Sequence, residues 1–176
     1  MPQTENTENE KGQATRLLAL LSACGISASL AIYAESFLRP RADIISLWWV
    51  VLILGWMALF IPIYALEYPE SRSPSFAWKG FARGTPKWVA PCSWLLAAIA
   101  VLNFAWFAAH AGWGVPEIHD GQYVLNARGH VLKVLTQLEY FQLRAAEARL
   151  FATTMIYFYF LPLMYWWFRP SQKLTV

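Results

Sequence analysis

IISLWWVVLILGWMALFIPIYAL, residues 44–66, contains no charged side chain, and its reading decides the class of the chain. A helix rises about 1.5 Å per residue, so about 20 consecutive apolar residues cross the hydrocarbon core of a bilayer. This run is long enough. Three others match it: 17–38, with Glu35 as its one charge, 88–109 and 150–168. Only helices or closed barrels satisfy their backbone within lipid. A barrel needs strands of about ten residues with alternating polarity, whereas these runs are apolar throughout. The expected fold is an all-α membrane protein, a four-helix transmembrane bundle with a short extramembrane β-hairpin between helices 3 and 4.

Composition agrees. Of the 176 residues 57% are hydrophobic and only 14% charged, against about 25% charged in soluble domains. Aromatic residues reach 16%, with ten tryptophans, and Trp and Tyr collect where a bilayer meets water. The net charge of +3 is scattered. It lacks the concentrated basic footprint of a nucleic-acid binder, so nucleic acid is set aside as a partner.

Residues 1–14 are polar and acidic and are expected to form a flexible tail, with 15–176 as the four-helix transmembrane domain. The run 17–38 exceeds the 7–15 apolar residues of a signal peptide and follows acidic residues, so it is read as a retained span. A tight turn at 39–43 makes the first two helices antiparallel neighbours. The connection 67–87 mixes Phe76, Trp78 and Phe81 with Lys79 and Arg83, a composition suited to the membrane surface.

Residues 110–149 form the longest connection. Segments 122–125 and 130–135 read as two strands joined by the four-residue turn 126–129. Thr136 and Glu139 then have capping-box spacing, so a helix is expected to start at Gln137 and continue into the fourth span. With the N-terminus cytoplasmic, eight basic residues (Lys11, Arg16, Arg72, Lys79, Arg83, Lys87, Arg169 and Lys173) lie inside. Six (Arg39, Arg41, Arg128, Lys133, Arg144 and Arg149) lie outside. This favours both termini on the cytoplasmic side, and a bacterial inner membrane is the expected location.

Cys24 and Cys92 lie in separate apolar runs, which excludes the exposed cysteine pairs that thiol–disulfide exchange requires; both read as small buried hydrophobes. The candidate metal ligands are His110, Glu117, His119, Asp120 and His130, all in the long connection and loosely spaced. No apolar run has an interior histidine, so no axial haem ligand is expected and no cofactor is implied. The polar residues inside the spans are Glu35, Asn103, Thr153 and Thr154, which would share the outer half of the bilayer as a possible site. Arg39 sits four residues after Glu35, in the favoured orientation for a helical ion pair.

Small residues spaced by four (Gly25 and Ser29, Ala23 and Ser27), with Ala97, Ala105 and Ala109 on the third helix, predict close packing of helices one and three. The aromatic second and fourth helices are expected to face lipid or a partner subunit. No nucleophile elbow, phosphate loop or zinc-protease motif occurs, and no catalytic residue is assigned.

The expectation is a non-catalytic membrane protein that contacts lipid and binds another membrane or envelope protein, or itself as a homo-oligomer, in an accessory, assembly or immunity role. The first alternative is a transporter or channel subunit using Glu35 and Asn103. The second is a metal-dependent enzyme built on the histidine loop.

Overall fold

A computed structural model describes residues 3–38, 45–67 and 85–168, with side chains for 12–38, 50, 52–63 and 85–168. The described chain is mostly helical with one small sheet. Helix α1 spans Gln3–Leu38, α2 Ile45–Glu67, α3 Val89–Ala111 and α4 Gln137–Phe168; strands β1 (Val115–His119), β2 (Gln122–Ala127) and β3 (His130–Val134) lie between α3 and α4. The turn 39–43, the surface segment 68–84 and the C-terminal basic residues fall outside the described residues, as does Arg39, the cation expected to pair with Glu35. Helix α1 begins well before the apolar run. The stretch expected to be a flexible tail is helical from Gln3, because an apolar helix removes the cost of nucleation for the glutamates, glutamines and lysine that precede it.

Among the described residues two helical segments, Gly12–Leu38 and Val89–Ala111, are long and apolar enough to cross a membrane. In α2 the shorter stretch Leu52–Ile63 is apolar among the described residues. In α4, Thr153, Thr154 and several tyrosines and tryptophans dilute the apolar character of 150–168.

The centre of the bundle is α4. Its most extensive partner is α1, followed by α3 and then α2. Expectation and structure differ here: α1 and α3 flank α4 rather than forming the close pair, and α4 is buried at Ala152, Met155, Tyr159, Leu161, Tyr165 and Trp166. The reason is size complementarity. Ser22, Gly25 and Ser29 form one buried stripe on α1, and the Tyr159 ring fills the space above Gly25, where an added Cβ would collide with it. Ser22 and Ser29 donate to the carbonyls of Leu18 and Gly25, each at 2.8 Å, and so enter the contact as small groups with no unmet polar demand. Ser27, Ala105 and Ala109 face outward instead. Cys24 is likewise exposed, not buried as expected, and Cys92 is half-buried.

Contacts fix the chain directions. Gly25 and Leu52 meet Tyr159, whereas Ala19 and Ile63 pack with Tyr165 and Trp166. Residue numbers therefore fall along α1 and rise along α2 as they rise along α4. Helix α3 runs against α4, since Ala111 packs with Tyr140 and Leu143 while Trp88 meets Phe168, with ring centroids 6.0 Å apart. Successive helices alternate in direction.

The expected two-stranded hairpin is a three-stranded antiparallel sheet in the order β1-β2-β3. Both turns are two residues long: Asp120 and Gly121 (φ 49° and 77°), then Arg128 and Gly129 (φ 54° and 82°). Two consecutive positive φ values define the type I′ turn, whose twist matches the flanking strands. The strand limits thus extend to Ala127, replacing the four-residue turn with a tighter one. A bulge opposite Leu125 and Asn126 places Leu132 out of register on β3. A cluster of Ala111, Leu125, Leu135, Tyr140 and Leu143 joins the sheet to the adjoining ends of α3 and α4.

The cap expected at 136–139 is present. The backbone N–H of Thr136 donates to Glu139 Oε2 at 2.8 Å, and the N–H of Glu139 donates to Thr136 Oγ1 at 3.2 Å. From there α4 continues as one helix to Phe168, with Pro162 inside it.

Candidate functional site

The ends of α1 and α3, the first half of α4 and the sheet meet at one level of the molecule. Phe37 lies in the last turn of α1, Trp106 and His110 near the end of α3, and Arg149 twelve residues into α4. Arg149 is half-buried. Its guanidinium carbon stands 4.8 Å from the centroid of the Phe37 ring and 5.9 Å from that of Trp106, within the range of cation–π attraction. Among the described residues no carboxylate forms a salt bridge with it.

Two cavities share Trp106 and Arg149. One, of about 540 Å³, opens toward the sheet and is lined by His110, Lys133, Glu139 and Gln142 as well. The other, of about 300 Å³, extends between α1, α3 and α4 past Tyr33 and Asn103. Small-molecule sites commonly occupy about 300–1,000 Å³.

The charges are unequally matched. Lys133 Nζ lies 2.7 Å from Glu139 Oε1. Its hydrogen bond, followed by those from the Thr136 backbone and hydroxyl, holds the Glu139 carboxyl down at about 2, from an ordinary 4.5. Glu139 therefore stays ionised and matched to Lys133. The positive charge of Arg149 has no such partner among the described residues. Between Glu139 and Arg149 on α4, Arg144 and Glu147 pair at 2.7 Å and are 22% and 12% exposed. Burial raises the Glu147 carboxyl above its ordinary value, and Arg144 partly opposes that shift.

The five candidate metal ligands do not converge. His119 and Asp120 sit 3.5 Å apart at the β1–β2 turn, while His130 starts β3 at the opposite end of β2, about five strand residues or roughly 17 Å away. Glu117, on β1, accepts a hydrogen bond from the Asn126 side chain. No group of three or more His, Cys, Asp or Glu side chains suited to a metal occurs among the described residues. His110 belongs to the Arg149 cleft instead. Its ring stacks on Trp106 at 4.1 Å, and Nδ1 is 2.8 Å from the Trp106 carbonyl. A carbonyl only accepts, so Nδ1 carries the proton and Nε2 is the remaining polar edge.

Three of the four polar residues of the spans bond back along their own helices. Asn103 Nδ2 donates to the Ile99 carbonyl at 3.0 Å, Thr153 to the Arg149 carbonyl at 2.9 Å, and Thr154 to the Leu150 carbonyl at 2.9 Å. Each is satisfied one turn back on its own helix. Of the four residues read as a polar site, only Asn103 lines the Arg149 cleft. Arg149, Lys133, Trp106 and Phe37 were not singled out by sequence. The available signal was an arginine directly before an uncharged run, on a helix already marked by its cap.

No protein-family model, curated protein or solved structure matches the chain.

Proposed function

We propose that the chain is a four-span integral membrane protein that works by binding another membrane component, without catalysis or transport. The observation that carries this reading is the placement of its polar side chains. Asn103, Thr153 and Thr154 bond to their own helices, and Arg149, which no carboxylate among the described residues pairs, lies beside the ends of α1 and α3. A transporter using Glu35 and Asn103 draws no support from this arrangement, and neither does an enzyme whose metal requires the separated histidines.

Four crossings are supported by alternating helix direction and by the uncovered apolar faces. Only 22% and 6% of the apolar windows in α1 and α3 are buried within the protein, whereas the core helix of a soluble domain is mostly covered. Lipid is a medium in which these faces cost nothing. In the proposed orientation the termini face the cytoplasm of a bacterial cell and the sheet projects outside.

Cysteine-scanning topology tests the proposal. Arg128→Cys in the sheet and a cysteine at position 5, in a background with Cys24 and Cys92 replaced by serine, should be labelled by an impermeant maleimide from opposite sides of intact cells. Labelling of both from one side would contradict it. Proteoliposomes holding the wild-type protein should show no ion or solute leak above empty vesicles, and a leak abolished by Glu35→Gln would favour the transporter.

A further inference from the structure

We propose that the cleft around Arg149 binds the phosphate of an anionic phospholipid headgroup. The inference rests on the membrane reading above and adds the ligand class. Arginine in a protein interior is ordinarily matched, because removing a charge from water is costly unless another charge or hydrogen bonds replace the lost hydration. Arg149 is half-buried with two aromatic rings and no carboxylate partner among the described residues. Rings hold a guanidinium by its charge but accept no in-plane hydrogen bonds of ordinary strength. Among the described residues no carboxylate takes up the N–H edges of Arg149, and their fork geometry fits two oxygens of a phosphate.

The surroundings select an anion. Lys133 is already matched by Glu139, so the cleft keeps the net positive charge of Arg149, and Asn103 retains a second amide N–H beyond the one given to Ile99. The depth selects a lipid. Phe37 is in the last turn of α1 and Trp106 in the last two turns of α3, both helices long and apolar enough to cross a membrane. Arg149 therefore stands where an apolar layer ends and headgroups begin. There the rings serve as interfacial anchors, and acyl chains descend along exposed Leu102 and Val101 of α3. A zwitterionic headgroup offers the same phosphate beside its own cation and gains less from Arg149.

The test uses the full-length protein in an uncharged detergent, titrated with short-chain phosphatidylglycerol, the matching phosphatidylcholine and inorganic phosphate, with bound ligand counted by native mass spectrometry. One saturable phosphatidylglycerol site is expected, stronger than that for phosphatidylcholine. Arg149→Gln should weaken it about tenfold or more, as loss of a charged hydrogen bond does, while Arg128→Gln on the exposed turn should not. Arg149→Lys should fall between the two, since it keeps the charge and loses the fork. If Arg149→Gln does not fold, Asn103→Leu and Trp106→Leu replace it, and each should weaken the same site. Phosphatidylglycerol binding that ignores all these variants overturns the inference, as does an absence of saturable binding. Arg149-dependent binding of inorganic phosphate without that of phosphatidylglycerol overturns the lipid source and assigns the site to a soluble phosphate compound. The topology assay separates the two readings: correct labelling with Arg149-independent lipid binding overturns this inference alone.

Discussion

The Tyr159 hydroxyl donates a 2.7 Å hydrogen bond to the Leu52 carbonyl, tying the middle of α4 to α2, while its ring lies against Gly25 of α1. One side chain thus sets the spacing of three helices. Tyr159→Phe keeps the ring and loses only the bond, so it should cost about 1 kcal/mol. Gly25→Ala drives a Cβ into a rigid ring and should cost more, about 1–3 kcal/mol of overpacking. Thermal unfolding in detergent measures both. Combining Gly25→Ala with Tyr159→Leu should recover part of the loss, because the two positions share one space.

This contact also shows where sequence reading reaches its limit. Uninterrupted apolar length made the four helices legible, and the Thr136–Glu139 spacing made the start of α4 legible to the residue. Which helices pair was not. Gly25 and Ser29 were expected to meet the small residues of α3, yet a small stripe accepts either a small or a large partner, and here it accepts Tyr159. Strand β1 was hidden by Pro116, which argues against a strand where it stands. The Asp120-Gly121 turn that ends it is itself a strong hairpin signal. The Arg149 cleft is assembled from three helices and a sheet distant in sequence, so no local spacing encodes it.

The capping box predicts an acid-dependent α4 start. Glu139 is lowered from 4.5 to about 2 by Lys133, then by Thr136. A depressed folded value means that its contribution is complete above the unfolded value and is lost as pH falls through the folded one. Stability of the α4 start should therefore hold above about pH 4.5 and decline toward pH 2. Glu139→Gln should flatten that window, and Thr136→Ala should cost about 1 kcal/mol at neutral pH. Amide exchange at 137–141 as a function of pH reads both.

The two I′ turns should differ from an ordinary surface loop in their response to alanine. Gly121 and Gly129 hold φ values of 77° and 82°, and an added Cβ at either meets open space. Any loss is therefore conformational, about 1–2 kcal/mol at each. Gly129→Asn, which tolerates the left-handed region better, should lose less than Gly129→Ala. Amide exchange across β2 and β3 reports the ranking, and equal effects of the two replacements would count against the turn assignment.

The Arg144–Glu147 pair offers a test in which removing more should cost less. At 2.7 Å, with exposures of 22% and 12%, the two charges have given up most of their hydration for each other. Burial raises the Glu147 carboxyl while Arg144 opposes the rise. Arg144→Leu removes the opposing cation, leaves a mostly buried carboxylate unpaired and should destabilise by about 3 kcal/mol or more at pH 7. In that variant the raised folded value of Glu147 means that its ionised form opposes folding. The deficit should therefore shrink as pH falls through that value and the carboxyl takes up a proton. The double variant Arg144→Leu with Glu147→Leu removes both charges and keeps apolar volume, so at pH 7 it should be clearly more stable than Arg144→Leu alone and should not share its acid recovery. Unfolding midpoints of the wild type, both single variants and the double variant, measured at pH 5 and pH 7, give the coupling directly. A double variant no more stable than Arg144→Leu would mean that these side chains act by separate packing rather than as a desolvated pair.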